Sequence, residues 1–330
     1  MDRKKLDRTD SELDLFILQS EIIDCFLYQF LFLYQRGMRV LLGSIEAGGT
    51  KFVCAVGNED YRTKNIVRFP TTTPEETLTK CVEYFKKFDD VKAIGVSSFG
   101  PIELRRNSPK YGYITNTPKP GWADVDFVGR LKKDFDVPIH WTTDVNGSAY
   151  GEYVISTLFN EHINSLVYYT IGTGVGAGAI VNGKFIGDLG HPEMGHVRLK
   201  RHPDDLDFPG ICPFHGDCLE GLVSGPTFEA RTGKKGQNVP LTDHVWDIVA
   251  YYVAQAAIQV TLTLRPAKIV FGGGVVSEEF LKKVRVQFKE LLNDYVDVGK
   301  LEDYIVMPAI KENGSATLGD FALALLEYRK

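Results

Sequence analysis

A short apolar run, a glycine-rich turn and a second short apolar run occur twice in this chain, and a repeated unit of this kind argues for a fold built from two similar halves. Residues 40–45 lead through Glu46-Ala47-Gly48-Gly49-Thr50-Lys51 into the run 52–56. Residues 165–171 lead through Gly172-Thr173-Gly174-Val175-Gly176-Ala177-Gly178 into 179–181, with Asn182-Gly183 as a hairpin turn. Apolar runs of this length bounded by glycine predict strand, tight turn, strand. A third run, 268–271, predicts a strand that ends in Gly272-Gly273-Gly274.

Helices are predicted between and after these runs. Thr73-Pro74-Glu75-Glu76 supplies an N-cap, a proline at the first helical position and acids in the first turn, opening a helix to about Phe88. Further helices are predicted over 122–134, 148–158, 242–264, 277–292 and 315–328, and further strands over 91–97 and 137–142. Strands and helices that alternate at these lengths predict an α/β protein. A chain of 330 residues can bury a substantial core and divide into two lobes. The expected division is a smaller lobe of residues 39–147 with 313–330, and a larger lobe of residues 148–312.

Residues 1–38 are expected to be an extension outside the fold, with Met38 as the initiator of the folded part. Their apolar run is too short to cross a membrane and is interrupted by Asp24 and Gln29. It also lacks the small-residue cleavage site of a signal peptide. The net charge of -5 offers no basic field for a nucleic-acid partner. Of five cysteines, Cys54 and Cys81 lie in apolar-patterned stretches and Cys25 in the extension. Nothing reads as a disulfide framework, so a reducing cytoplasm is expected.

Glycine turns admit phosphate oxygens because backbone N–H groups can approach them with no Cβ in the way. The first turn lacks the Walker spacing, and both turns run on into strands rather than the helix of a dinucleotide fingerprint. Each turn alone is equally a plain hairpin. Together the three read as two loops gripping nucleotide phosphates and a third at the nucleoside. Asp144 directly follows a predicted strand, where α/β folds place catalytic groups. A carboxylate there can take the proton of a hydroxyl attacking a γ-phosphoryl group. The competing reading makes it the N-cap of the helix expected from Ser148.

His196, Cys212, His215 and Cys218 have the types and spacing of a Cys2His2 structural zinc site, with two thiolates and an imidazole in one C-x-x-H-x-x-C loop. Glu193 and Glu220 stand at its two edges, so a zinc loop here reads as a brace for carboxylates that bind a polyol.

These motifs resemble those of the ROK family (repressors, open reading frames and kinases of sugars), and within it the bacterial fructokinases. The resemblance covers about residues 42–329. It implies the actin/hexokinase-like (ribonuclease H-like) fold, two α/β lobes around a central cleft with the C-terminal helix packed back on the first. It implies transfer of the γ-phosphoryl of ATP to the 6-hydroxyl of D-fructose, with Mg2+, a Zn2+-braced loop and a homodimer. Gly48, Gly49, Thr50 and Lys51 match the first phosphate turn, Gly172, Thr173 and Gly174 the second, and Gly272, Gly273 and Gly274 the nucleoside turn. Asp144 matches the base; Asn116, Glu193, His196 and Glu220 are assigned to the sugar. Two departures mark the subgroup: Glu46 stands where much of the family has Asp, and Cys212-Pro213-Phe214-His215 replaces a three-cysteine loop. Another hexose kinase acting on glucose, mannose or N-acetylmannosamine, and a sugar-responsive repressor, are the alternatives; no helix-turn-helix is recognisable ahead of the first strand.

Overall fold

Two five-stranded sheets carry the same strand order, and that repetition sets the architecture. The computed structural model describes residues 40–159, 161–187, 190–311 and 314–330, so the expectations for the N-terminal extension, Met38 included, lie outside the described residues. In the first sheet β1 (Leu41–Ala47), β2 (Lys51–Asn58) and β3 (Thr63–Pro70) form an antiparallel meander. Helix α1 (Pro74–Phe85) follows, with the Thr73 side chain accepting from the Glu76 N–H as the sequence predicts. Next come β4 (Val91–Ser98), the small hairpin of β5 (Tyr113–Ile114) and β6 (Val125–Asp126), α2 (Phe127–Lys132) and β7 (Ile139–Thr143). Both β4 and β7 run parallel to β1, giving the order β3-β2-β1-β4-β7.

The second half repeats this scheme. After α3 (Asp144–Leu158), strands β8 (Ser165–Ile171), β9 (Val175–Val181) and β10 (Lys184–Phe185) form the meander. The short helices α4 (Leu219–Val223) and α5 (Pro226–Thr232) and the long α6 (Val245–Thr263) precede β11 (Lys268–Gly272). Then come α7 (Glu278–Leu292), α8 (Leu301–Tyr304), β12 (Ile305–Val306) and α9 (Gly314–Tyr328). With β11 and β12 parallel to β8, the order is β10-β9-β8-β11-β12.

Each half has its own core. Phe52, Trp122, Phe127 and Trp141 centre the first, and Tyr169, Phe271, Phe228 and Trp246 the second. Helix α6 is long and apolar enough to cross a membrane, but it is mostly buried here as the central helix of the second core. An apolar helix needs a partner for its whole circumference, and the core supplies one.

Local chemistry shifts two predicted boundaries. The helix expected over 122–134 begins only at Phe127, because Asp124 has φ 59° and Asp126 is the N-cap, its side chain accepting from the Gly129 N–H. The Trp122 indole is instead buried, donating to the Thr72 carbonyl at 2.8 Å. The helix expected from Ser148 begins at Asp144, since Thr143 caps it by accepting from the Asn146 N–H at 3.2 Å. Asp144 is therefore the first helical residue and not the cap.

Helix α9 lies against β1, β4 and α3 at backbone-to-backbone distance. A Cβ at Gly151 would overlap the Ser315 carbonyl, one at Gly319 the Gly147 carbonyl, and one at Gly95 the Asp320 carbonyl. Inside this contact the Ser44 and Ser97 hydroxyls donate to Asp320 at 2.9 and 3.2 Å. Burial pushes that carboxyl well above its usual range. Gly151→Ala forces α3 and α9 apart, so it should destabilise the protein by about 1–3 kcal/mol. Urea unfolding should show a lower midpoint with the slope unchanged.

Candidate functional site

The parallel strands of the first sheet end together. Ala47 pairs with Ser98, and Ser98 with Thr143, so the first glycine turn and Asp144 leave the sheet at one edge. That turn is closed by the Gly48 N–H donating to the Lys51 carbonyl at 3.0 Å, and a Cβ on Gly48 would crowd the same oxygen. The Thr71 hydroxyl, from the connection into α1, donates to the Gly48 carbonyl at 2.7 Å and holds the turn in place. Thr50 and Lys51 are exposed.

The second and third turns share a corner of the other sheet. Gly273 has φ +94°, and a Cβ there would overlap the Ile171 carbonyl, so the third turn is pressed onto the end of β8. The Val275 N–H donates to that carbonyl at 3.0 Å and the Gly225 N–H donates to Gly172 at 2.7 Å. Gly172, Thr173 and Gly174 thus lie beside Gly272, Gly273 and Gly274, with Thr173 and Gly274 exposed.

Gly195 and Glu220, from the two edges of the metal motif, meet at the start of β9. Met194–His196 forms one turn of 3-10 helix, and a Cβ on Gly195 would overlap the Val175 carbonyl, which explains the glycine between Glu193 and His196. Glu220, in the first turn of α4, accepts from the Val175 N–H at 3.0 Å through Oε2, next to Gly174 of the second turn. Glu193 accepts instead from His191, Oε1 to Nε2 2.9 Å, and this contact pulls its carboxyl below the usual value.

Asp144 is partly buried, and Oδ1 accepts from the Val145 N–H at 2.9 Å. Burial pushes its carboxyl up to about 6; the Val145 N–H and His191 pull the other way, and Glu193 adds to the rise. Asp144 thus feels both members of the His191–Glu193 pair, with opposite signs. His191 was not singled out from the sequence; its signal is the His-Pro-Glu step immediately before Met194-Gly195-His196. Asn116 is exposed on the loop after β5, and among the described residues no hydrogen bond links it to Asp144, His191 or Glu193.

The four metal-motif residues do come together. His196 Nδ1 lies 3.7 Å from Cys212 Sγ and 3.5 Å from Cys218 Sγ, and His215 Nδ1 lies 3.7 Å from Cys212 Sγ. All four ligand atoms lie within 4.8 Å of one another. Zinc bonds of usual length put the S···N edge of a tetrahedron at about 3.5 Å. The donor set and its spacing therefore fit a structural zinc ion. A tight hairpin carries the loop: Cys212 N–H donates to Gly216 at 3.1 Å, and Gly216 N–H to Cys212 at 2.9 Å.

A buried ion pair braces the segment leading into this loop. Arg231 on α5 forks onto both oxygens of Asp205 at 2.8 Å, with side chains 7% and 4% exposed. Tyr252 donates to the same carboxylate at 2.8 Å, and Arg231 also reaches the Leu222 carbonyl at 2.9 Å. Burial alone raises the Asp205 carboxyl, but Arg231 outweighs it and the net shift is downward. Arg231→Ala leaves that buried charge without its fork and should cost about 3–5 kcal/mol. Thermal melting should report the loss, growing smaller at acid pH as Asp205 protonates.

Comparisons with known proteins identify the family. The sequence pattern of the ROK family matches residues 42–327. The chain is 58% identical over 291 residues to a fructokinase of Streptococcus mutans, covering 87% of this chain and 98% of that one. It is 54% identical over 295 residues to a fructokinase of Lactococcus lactis subsp. cremoris, covering 89% and 100%. A ROK hexokinase from Thermus thermophilus superposes with a TM-score of 0.70 at 22% identity, covering 88% and 99%, and carries the fold likeness alone.

Proposed function

The chain belongs to the ROK family, and from that premise we propose that it is a fructokinase, transferring the γ-phosphoryl group of ATP to the 6-hydroxyl of D-fructose. Its fold is the actin/hexokinase-like architecture of two α/β lobes, and the reading keeps the division of the sequence into 39–147 with 313–330 and 148–312. The observation that carries the reading is identity of 58% and 54% to two fructokinases over nearly their whole lengths.

Asp144 is the general base. In the reaction the hydroxyl proton passes to its carboxylate, the sugar oxygen bonds to the γ-phosphorus, and the bond from that phosphorus to the bridging oxygen breaks to leave ADP. A base with a pKa near 6 is ionised at neutral pH and still basic enough to take a proton. Gly48, Gly49, Thr50 and Lys51, with Gly172, Thr173 and Gly174, hold the phosphates through backbone N–H groups, and Gly272, Gly273 and Gly274 border the nucleoside. Glu193, His196, Glu220 and Asn116 take the hexose hydroxyls. Glu220, already tied to Val175, couples sugar occupancy to the second phosphate turn. Positioning and electrostatics supply most of the acceleration in such a transfer. Mg2+ arrives with ATP and neutralises phosphate charge.

His196, Cys212, His215 and Cys218 would hold Zn2+, which with four protein ligands has no open position and serves as a brace. The reading includes a homodimer in the cytoplasm, where the unpaired Cys54 and Cys81 stay reduced.

A coupled ADP-release assay with Mg·ATP against fructose, glucose, mannose and N-acetylmannosamine tests the reading. Fructose should give the highest kcat/KM. Preference for another hexose would keep the mechanism and discard the substrate, and inactivity on all four would favour a regulator. Asp144→Asn should lower kcat by ~10²–10⁴-fold. Wild-type kcat/KM should fall as pH drops through about 6, because protonated Asp144 cannot accept the hydroxyl proton.

Cys218→Ser should lower the zinc content and the melting temperature and raise the KM for fructose, by loosening the segment that joins Glu193 to Glu220. A zinc-free wild-type enzyme with unchanged KM would contradict the brace.

A further inference from the structure

A cavity of about 200 Å3 lies between the two halves, lined by residues that flank the proposed base in sequence. Thr142 and Asn146, from the end of β7 and the first turn of α3, form part of one wall. Phe185, Ile186 and His191, from β10 and the segment after it, form the other. His191 thus reaches the cleft from the half opposite Asp144, and its side chain is only 14% exposed. Pro192 separates it from Glu193. Proline fixes its own φ and biases the residue before it towards extended backbone, so the His191–Glu193 pair is built on a restrained step.

We propose that His191 is a positioning residue for the phosphoryl transfer, holding the Glu193 carboxylate through Nε2 from across the cavity that Thr142 and Asn146 line. The inference rests on the reading of Asp144 as base and Glu193 as sugar ligand. Two carboxylates that serve one hexose repel each other, and in a partly dry cleft that repulsion protonates one of them. A protonated base is inactive, and a Glu193 that swings away no longer orients the sugar.

The groups around Asp144 leave few other sources of compensation. On its own helix the Val145 N–H donates to it, and from the opposite loop Glu193 opposes its ionisation while His191 favours it. On β8 the Tyr168 hydroxyl is pushed up by burial first and then by Glu152, Glu46 and Asp144. Glu46 also acts on Asp320 on α9. His191 is a side chain that favours the Asp144 carboxylate, against Glu193.

The test uses the full-length zinc-loaded enzyme, with folding of each variant checked by circular dichroism. Kinetics are read for His191→Ala and His191→Gln from pH 5 to 8 with saturating Mg·ATP. His191→Ala should raise the KM for fructose about tenfold, as expected for losing a hydrogen bond to a charged group. It should also shift the acid limb of kcat to higher pH. His191→Gln keeps an N–H donor for Glu193 but carries no charge, so KM should return towards wild type while the acid limb stays shifted. A structural role predicts the reverse: lower activity in both variants with the acid limb unmoved, and that result overturns the inference. Carboxyl titration of Asp144 by 13C NMR reads the electrostatic half without turnover. An unshifted Asp144 in both variants also overturns it. A wild-type chain that phosphorylates no hexose would sink the kinase reading instead, and the inference with it.

Discussion

Helix α3 touches backbone on both of its flanks, and the geometry of the molecule follows from that double contact. On one side Gly151 and Gly147 meet the Ser315 carbonyl and Gly319 of α9. On the other, a Cβ on Gly178 of β9 would stand 2.5 Å from the Val145 carbonyl. Interiors packed to this density tolerate no added methyl group without movement. The N-terminal turn of α3 is thereby fixed between the two sheets. Asp144, its first residue, is held at the boundary of the halves by contacts that involve no part of its own side chain.

The other groups of the site come from the opposite half and depend on the start of β9. Val175 receives Gly195 on its carbonyl and Glu220 on its N–H, so both arms of the metal loop close on one residue. From there the chain runs to Gly174 and the second phosphate turn. Glu220 and the second glycine turn are thus fastened to a common strand end. The Arg231–Asp205 fork secures the far side of the loop by joining α5 to the segment that enters it. A loop so tethered keeps its carboxylates in place with little help from regular secondary structure.

What could be read from the sequence was what local chemistry encodes. Glycine turns between apolar runs, the Thr73-Pro74 cap and the C-x-x-H-x-x-C loop announce themselves because their causes lie within a few residues. The elements that escaped depend on distant partners. Strand β3 is mostly exposed and alternates only at Val67 and Phe69, too short a signal to stand alone, and it exists because β2 offers it a ladder. Trp122 leaves the predicted helix for a carbonyl fifty positions away. Asp205 and Arg231 look like ordinary surface charges until α5 packs against the loop. His191 sits beside a motif that was noticed, but its approach to Asp144 requires the two halves to be assembled.

The shared strand order has a further consequence at the junction. Helix α3 follows β7 in one half as α9 follows β12 in the other, and the two helices meet with glycine of each against backbone of the other. The contact is reciprocal, in the manner of a two-fold interface between copies, although one chain makes both sides. Where most helix pairs mesh side-chain ridges into grooves, these touch backbone to backbone at Gly147, Gly151 and Gly319, with Tyr150 and Leu323 packed beside the contact. The joint is also pinned from within: the buried Glu152 carboxylate of α3 accepts from the Ser315 hydroxyl of α9, so the helix pair acts as a keyed hinge-pin that sets how far each half stands from the other.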